Sequence, residues 1–261
     1  MSTQPLASIH PDAKIGEGVE IGPFVFIDKN VEIGDGTKIA ANVTILEGSR
    51  IGKNCRLFPG AVIGAIPQDL KFKGEESLAI VGDNTTLREC VTVNRGTVAK
   101  GKTVVGSNCL LMAYSHVAHD CIIGDHVIIA NACQLAGEVE IDHHAILGGG
   151  TLIHQFTKIG KHVMIQGGCK VTKDVPPYVT AGRDPLTFAG INSIGLRRRG
   201  FSNEEIGEIH NAYRIIYQEK LNTTNALAKI EETIPASIHR DELVSFVRSS
   251  ARGIIKGYFE E

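Results

Sequence analysis

The chain has 261 residues, enough for one large domain or for a domain with an appendage. Its net charge is −2, so no whole-molecule field calls for nucleic acid, and no run of about 18 apolar residues offers a transmembrane segment. The stretch from Met1 to Asp12 lacks the regions of a secretory signal, which predicts a soluble, cytoplasmic protein.

Glycine is frequent at 29 residues, tryptophan is absent and aromatics make up 5%, so the core must be built from something other than large rings. The chain order shows what. Stepping by six from Ile9 to Val171 visits 28 positions, of which 25 are Ile, Leu or Val. A period of six is neither helical nor a simple strand alternation. It describes two strand residues, a turn and a repeat, often with Gly after the aliphatic, as in Ile15-Gly16, Ile33-Gly34 and Ile159-Gly160. Three such hexads close one coil, and coils stack by parallel strand pairing at roughly 4.8 Å. The predicted result is a thin triangular prism with aliphatic ladders inside.

The exceptions Asp69, Glu75 and Ala99 mark two excursions, at 65–79 and 94–103, expected to be loops that leave the prism. Cys55, Cys109, Cys121, Cys133 and Cys169 each follow a register aliphatic by four residues, a slot that Val43 and Val127 share, so they read as small apolar filler. No C-x-x-C occurs, and a reducing compartment fits. The register stops after Val171, and Pro176-Pro177 marks the break. A link to about Gly200 is expected. Ser202-x-x-Glu205 then reads as a capping box, with Ile206, Ile209, Tyr213, Ile216 and Tyr217 at helical spacing behind it. Further helices are predicted at 223–233 and 237–256. The domains are therefore a repeat prism over 1–190 and a helical domain over 191–261.

Departures from a bland repeat locate the chemistry. Residues 18 apart stack vertically, so His126, His144 and His162 form one column. It reads either as a solvated or inter-subunit stack or as a metal site, the latter weakened by the lack of a carboxylate or Cys in the column. His119, Gly137 and Gln155 form a second column, with His154 beside it. A neutral His can take a proton from a hydroxyl, a backbone N–H at a bare Gly can stabilise an oxyanion, and Asp120 can hold one tautomer of His119. The competing reading is a satisfied surface His. Arg197-Arg198-Arg199 reads equally as a solvated run and as a site for phosphates or an acidic partner.

Six stretches carry a resemblance: PQDLK (67–71), RECVTVNRGT (88–97), HVAHDC (116–121), IHQF (153–156), DVPPYV (174–179) and INSIGLRRRGF (191–201). With the hexad register they resemble the hexapeptide-repeat, left-handed β-helix acyltransferases, and within them the UDP-N-acetylglucosamine 3-O-acyltransferase family of lipid A biosynthesis. The resemblance covers essentially the whole chain. It implies a mainly β fold, a left-handed parallel β-helix with a C-terminal α-helical domain. It also implies transfer of an (R)-3-hydroxyacyl group from acyl-carrier protein to the sugar 3-hydroxyl, with no cofactor, no metal and no acyl-enzyme, in a homotrimer with each site between two subunits.

By the same resemblance His119 is the general base, Asp120 orients it and Gly137 supplies the oxyanion N–H. Asp69 and Lys71 contact the acceptor sugar, and His116, His154 and Gln155 line the cleft. Asn192 meets the uracil, Arg198 and Arg199 meet the diphosphate or the carrier, and Gly167 leaves the acyl groove open for a long chain. Two positions depart from the family pattern: Glu138 stands where a His is common, and Ile194 where a Glu can help hold the nucleoside. They bear on the acceptor and donor contacts and leave a 3-amino acceptor open. The competing classes are the related N-acyltransferase of the same pathway, which carries an extra N-terminal domain where this register begins at Ile9, a zinc-dependent carbonic-anhydrase-like β-helix, and a non-catalytic scaffold trimer.

Overall fold

The computed structural model describes residues 2–3 and 6–257. Two-residue parallel strands recur every six residues and assemble three sheets of 12, 9 and 8 strands, the faces of a left-handed β-helix. The first face starts at Ser2–Thr3, the second at Ser8–Ile9 and the third at Lys14–Ile15. From Ile21 to Val171 every aliphatic of the register is 0–4% exposed, which makes the ladder core. In each uninterrupted turn from Gly18 to Gly168, the third residue after the register aliphatic has a left-handed φ between +52° and +83°. Gly and Asn fill many of these slots because they tolerate that conformation. The residue after it turns inward, and the five predicted cysteines are buried there at 0–4%. Burial pushes the Cys109 thiol up to about 11 and the Cys121 thiol up to about 12, so these thiols are inert filler.

The register survives both excursions because each insert is a multiple of six. Ile51 pairs with Val81, thirty residues on, and Val81 with Val105, twenty-four on, where an unbroken coil gives eighteen. Both inserts leave the second face, after Val62–Ala65 and Thr92–Asn94, and return on the third, at Leu78–Val81 and Lys102–Val105. They therefore project from one corner of the prism.

Past Val171 the expected link is structured. Val179–Gly182 continues the first face and folds back on Thr187–Ile191 as an antiparallel hairpin, and Ser193–Arg198 forms a short helix, α1. α2 spans Asn203–Gln218 behind the predicted capping box: Ser202 Oγ accepts the Glu205 N–H at 3.1 Å, and Glu205 Oε2 accepts the Ser202 N–H at 2.7 Å. α3 is Thr223–Thr233. α4, expected over 237–256, is Ile238–Ser249. Gly253 (φ +72°) turns the chain, and Lys256–Gly257 joins the first face beside Thr187–Phe188. This last strand and the Phe188–Tyr217 stack at 4.4 Å bolt the helices to the end of the prism. Among the described residues no helix is long and apolar enough to cross a membrane.

Candidate active site

The corner between the second and third faces holds, in ascending coils, the two inserts, His119, Gly137 and Gln155. His119 Nδ1 lies 2.8 Å from Asp120 Oδ2. With the proton on Nδ1 and shared with the carboxylate, Nε2 keeps its lone pair. That edge of the ring lies against Gly137: a Cβ there would sit 2.5 Å from His119 Cε1 and Nε2. Only a glycine leaves room for the imidazole. Among the described residues the Gly137 N–H has no acceptor.

Asp120 is fully buried. Burial works to raise its carboxyl, but hydrogen bonds from the Thr97 hydroxyl, from His119 and from the Thr97 and Lys100 N–H groups outweigh it, and the carboxyl sits below its ordinary range. His116, on the adjoining strand, meets Thr92 Oγ1 at 2.7 Å through Nδ1, and burial, then His119, lowers its imidazole. His154 Nδ1 approaches the Gln155 carbonyl at 3.0 Å and its ring is exposed. On the first insert Asp69 Oδ1 accepts the Lys71 N–H at 2.9 Å, and the Lys71 side chain is free to solvent. Glu138 follows Gly137 in the left-handed slot (φ +58°), its N–H on the His119 carbonyl at 2.9 Å.

The remaining expected residues lie at other corners of the same protomer. Asn192 caps α1: its Oδ1 accepts the Gly195 N–H at 3.1 Å and its Nδ2 donates to the His162 carbonyl at 2.9 Å. Arg199 donates to the His144 carbonyl at 3.2 Å, while Arg197, Arg198 and Ile194 are exposed. These lie where the third face meets the first, beside the His126–His144–His162 column. The rings of that column stack at 4.6 and 4.9 Å and end on Tyr178 and Phe201. Parallel rings direct their lone pairs in parallel planes rather than at one point, so the column is a packing device, exposed at His126 and buried at His162. Gly167 stands at the third corner, above Gly149. A groove of about 900 Å³ between the third face and α4 is lined by Glu140, Lys158, Lys161, Glu242 and Phe246, and none of the His119 column reaches it.

Sequence reasoning missed Thr97, Thr103 and Glu75. Thr97 and Thr103 bind Asp120, and Glu75 Oε1 accepts the Val98 N–H at 3.1 Å, tying the first insert to the second.

The hexad β-helix is that of the hexapeptide-repeat proteins, and the bacterial transferase hexapeptide (six repeats) model matches residues 102–137, which hold His119, Asp120 and Gly137. The model for domain 2 of UDP-N-acetylglucosamine O-acyltransferase matches residues 174–255, and that of the GMPPB C-terminal domain matches 3–109. Acyl-(acyl-carrier-protein)–UDP-N-acetylglucosamine O-acyltransferases from Trichlorobacter lovleyi and Myxococcus xanthus are 49% and 44% identical, over 98% and 97% of this chain and 100% and 98% of theirs. The solved UDP-N-acetylglucosamine acyltransferase of Bacteroides fragilis is 62% identical with a TM-score of 0.95, over 97% of this chain and 99% of that one. The chain belongs to the acyl-(acyl-carrier-protein)–UDP-N-acetylglucosamine O-acyltransferase family.

Proposed function

We propose that the protein transfers an (R)-3-hydroxyacyl group from acyl-carrier protein to the 3-hydroxyl of UDP-N-acetylglucosamine, the first acylation of lipid A biosynthesis, in the cytoplasm. The observation that carries the reading is the His119 ring, fixed at Nδ1 by a buried carboxylate and open at Nε2 over Gly137. Nε2 takes the proton of the sugar hydroxyl as its oxygen attacks the thioester carbon. The Gly137 N–H meets the oxyanion of the tetrahedral intermediate. Collapse breaks the C–S bond, and the imidazolium returns the proton to the departing thiolate. The thioester is a co-substrate, and the direct transfer needs no cofactor or acyl-enzyme.

Asp69 and Lys71, on an insert from the same corner, are positioned to meet the acceptor sugar, with His116, His154 and Gln155 along the cleft. Asn192, Arg198 and Arg199 serve the nucleotide from a different corner, and a site shared by two protomers brings both groups to one ligand. A homotrimer fits that arrangement. It also fits the first face, whose outward residues turn from Glu20, Lys38 and Arg56 in the lower coils to Leu110, Ile128, Ile146 and Met164 in the upper ones.

The test is mass-spectrometric assay of purified protein with UDP-N-acetylglucosamine and a panel of 3-hydroxyacyl-carrier proteins. The expected product is a mono-acylated sugar nucleotide, with turnover lowered about 10²–10⁴-fold in His119→Ala. No product with any donor, from this acceptor or its 3-amino analogue, would overturn the assignment.

A further inference from the structure

Asp120 differs from the aspartates that the repeat sets at its corners. Asp35, Asp83 and Asp125 lie two residues after a register aliphatic, at the surface, and each accepts a backbone N–H from the coil below: Glu17 at 2.9 Å, Lys53 at 2.7 Å and Ser107 at 2.7 Å. The repeat itself supplies those bonds. Asp120 sits one residue later, in the left-handed slot (φ +59°), and its carboxylate is fully buried. Apart from His119, its donors come from the six-residue insert of the preceding coil. Thr97 N–H donates to Oδ1 at 3.0 Å, Thr97 Oγ1–H to Oδ2 at 2.6 Å and Lys100 N–H to Oδ1 at 3.2 Å. The Thr97 hydroxyl also accepts the Ala99 N–H at 3.2 Å, which directs its single proton to the carboxylate. Oδ2 is thus shared between the Thr97 hydroxyl and His119 Nδ1. The insert is held from outside by Glu75 of the neighbouring insert, through the Val98 N–H.

We infer that Thr97 is a positioning residue for the reaction: the second insert carries it over the corner so that its hydroxyl fixes the Asp120 carboxylate in the plane that aims His119 Nε2 at the acceptor. The inference rests on the reading of His119 as the base. A charge-assisted O–H···O bond on the oxygen that His119 uses sets both the direction and the basicity of that oxygen. Removing the hydroxyl leaves Oδ2 to His119 alone, with only Oδ1 still fixed by the Thr97 and Lys100 N–H groups. It also concentrates negative charge on the oxygen facing the imidazole, which favours the imidazolium.

The experiment compares wild type, Thr97→Val and Thr97→Ser in two readouts. The first is the pH profile of kcat and kcat/KM for acyl transfer, with His119→Ala as the low-turnover reference. The second, independent of the substrate, is the NMR signal of the His119 Nδ1 proton, together with thermal melting. In Thr97→Val the expected result is kcat lowered about 10–100-fold with little change in acceptor KM, as for a base misplaced by a fraction of an ångström. The acidic limb of kcat/KM moves to higher pH, and the Nδ1 proton signal shifts or broadens. Thr97→Ser, which restores the hydroxyl, recovers rate, limb and signal. Wild-type rate, profile and proton signal in Thr97→Val would overturn the proposal. So would a loss that Thr97→Ser fails to restore, or one matched by a lowered melting temperature with an unmoved pH limb. If acyl transfer is absent already in wild type, the functional reading fails, and the Nδ1 signal still decides whether Thr97 orients the pair.

Discussion

Replacing Gly137 by Ala puts a methyl carbon 2.5 Å from Cε1 and Nε2 of His119 and 3.1 Å from Cδ2. Carbon contacts settle at about 3.5–4.0 Å, so the ring must retreat by about 1 Å. It has little freedom to do so. Nδ1 is held by Asp120 at 2.8 Å, and Asp120 is held by Thr97 and Lys100. The ring must either break its bond to the carboxylate or swing Nε2 away from the acceptor. A misplacement of about 1 Å costs roughly 10²-fold, or about 2.7 kcal/mol of barrier. The expected result is a kcat lowered about 10²-fold with acceptor KM little changed. The backbone N–H survives in Ala, so the loss isolates the steric role of the glycine from its role as oxyanion donor. The assay is steady-state acyl transfer in Gly137→Ala, His119→Ala and the double variant, with thermal melting of each. Because the methyl acts through the imidazole, the double variant should be no slower than His119→Ala alone. Activity within about threefold of wild type in Gly137→Ala, or additive losses in the double variant, would refute the steric coupling.

A Cβ at Gly167 would meet the Gly149 carbonyl oxygen at 3.0 Å, a contact met by a small shift, so Gly167→Met should fold and move donor preference to shorter acyl chains, read on the same donor panel. Burial, followed by His144, Arg199, Lys161 and His239, lowers the His162 imidazole to about 3. A base lowered on folding binds its proton more readily in the unfolded chain, so stability is full above about pH 6.5 and falls as pH drops toward 3, by about 2 kcal/mol at pH 5. His162→Phe, which keeps a ring on Tyr178 and Phe201, should flatten the melting temperature between pH 7 and 5; an unchanged slope would assign the loss to other groups. Arg198→Ala should weaken substrate binding in a salt-dependent way without lowering the melting temperature, whereas Arg199→Ala should lower both, because its guanidinium also binds the Gly195 and His144 carbonyls.

The prism was legible because its rule is local. Each hexad names its inward aliphatic, its left-handed slot and its filler within six residues, and the inserts kept the count by being six-fold in length. Residues 172–200 were not legible because their structure is non-local. The hairpin Val179–Gly182 with Thr187–Ile191 takes its register from the first face, and the strand Lys256–Gly257 is bound from the far end of the chain, which is why α4 stops at Ser249, short of the expected 256.

At the site the column rule went far, since residues 18 apart do stack and His119 lies against Gly137. It failed where a contact crosses coils through an insert. Nothing in the local sequence distinguishes Thr97 from Thr92 or Thr103. The available signal was arithmetic: an insert of one hexad, immediately before the coil of His119, at the corner of the catalytic column. A solenoid passes each corner once per coil, so the first coil that an insert there meets is the one beside it. The length of this insert is thereby tied to the chemistry of the next coil. Deleting 95–100 would keep the register and the prism while removing Thr97 and Lys100 from Asp120. Such a chain should melt near wild type and lose turnover to the level of His119→Ala or close to it. Retained turnover would show that the carboxylate needs no support from the insert.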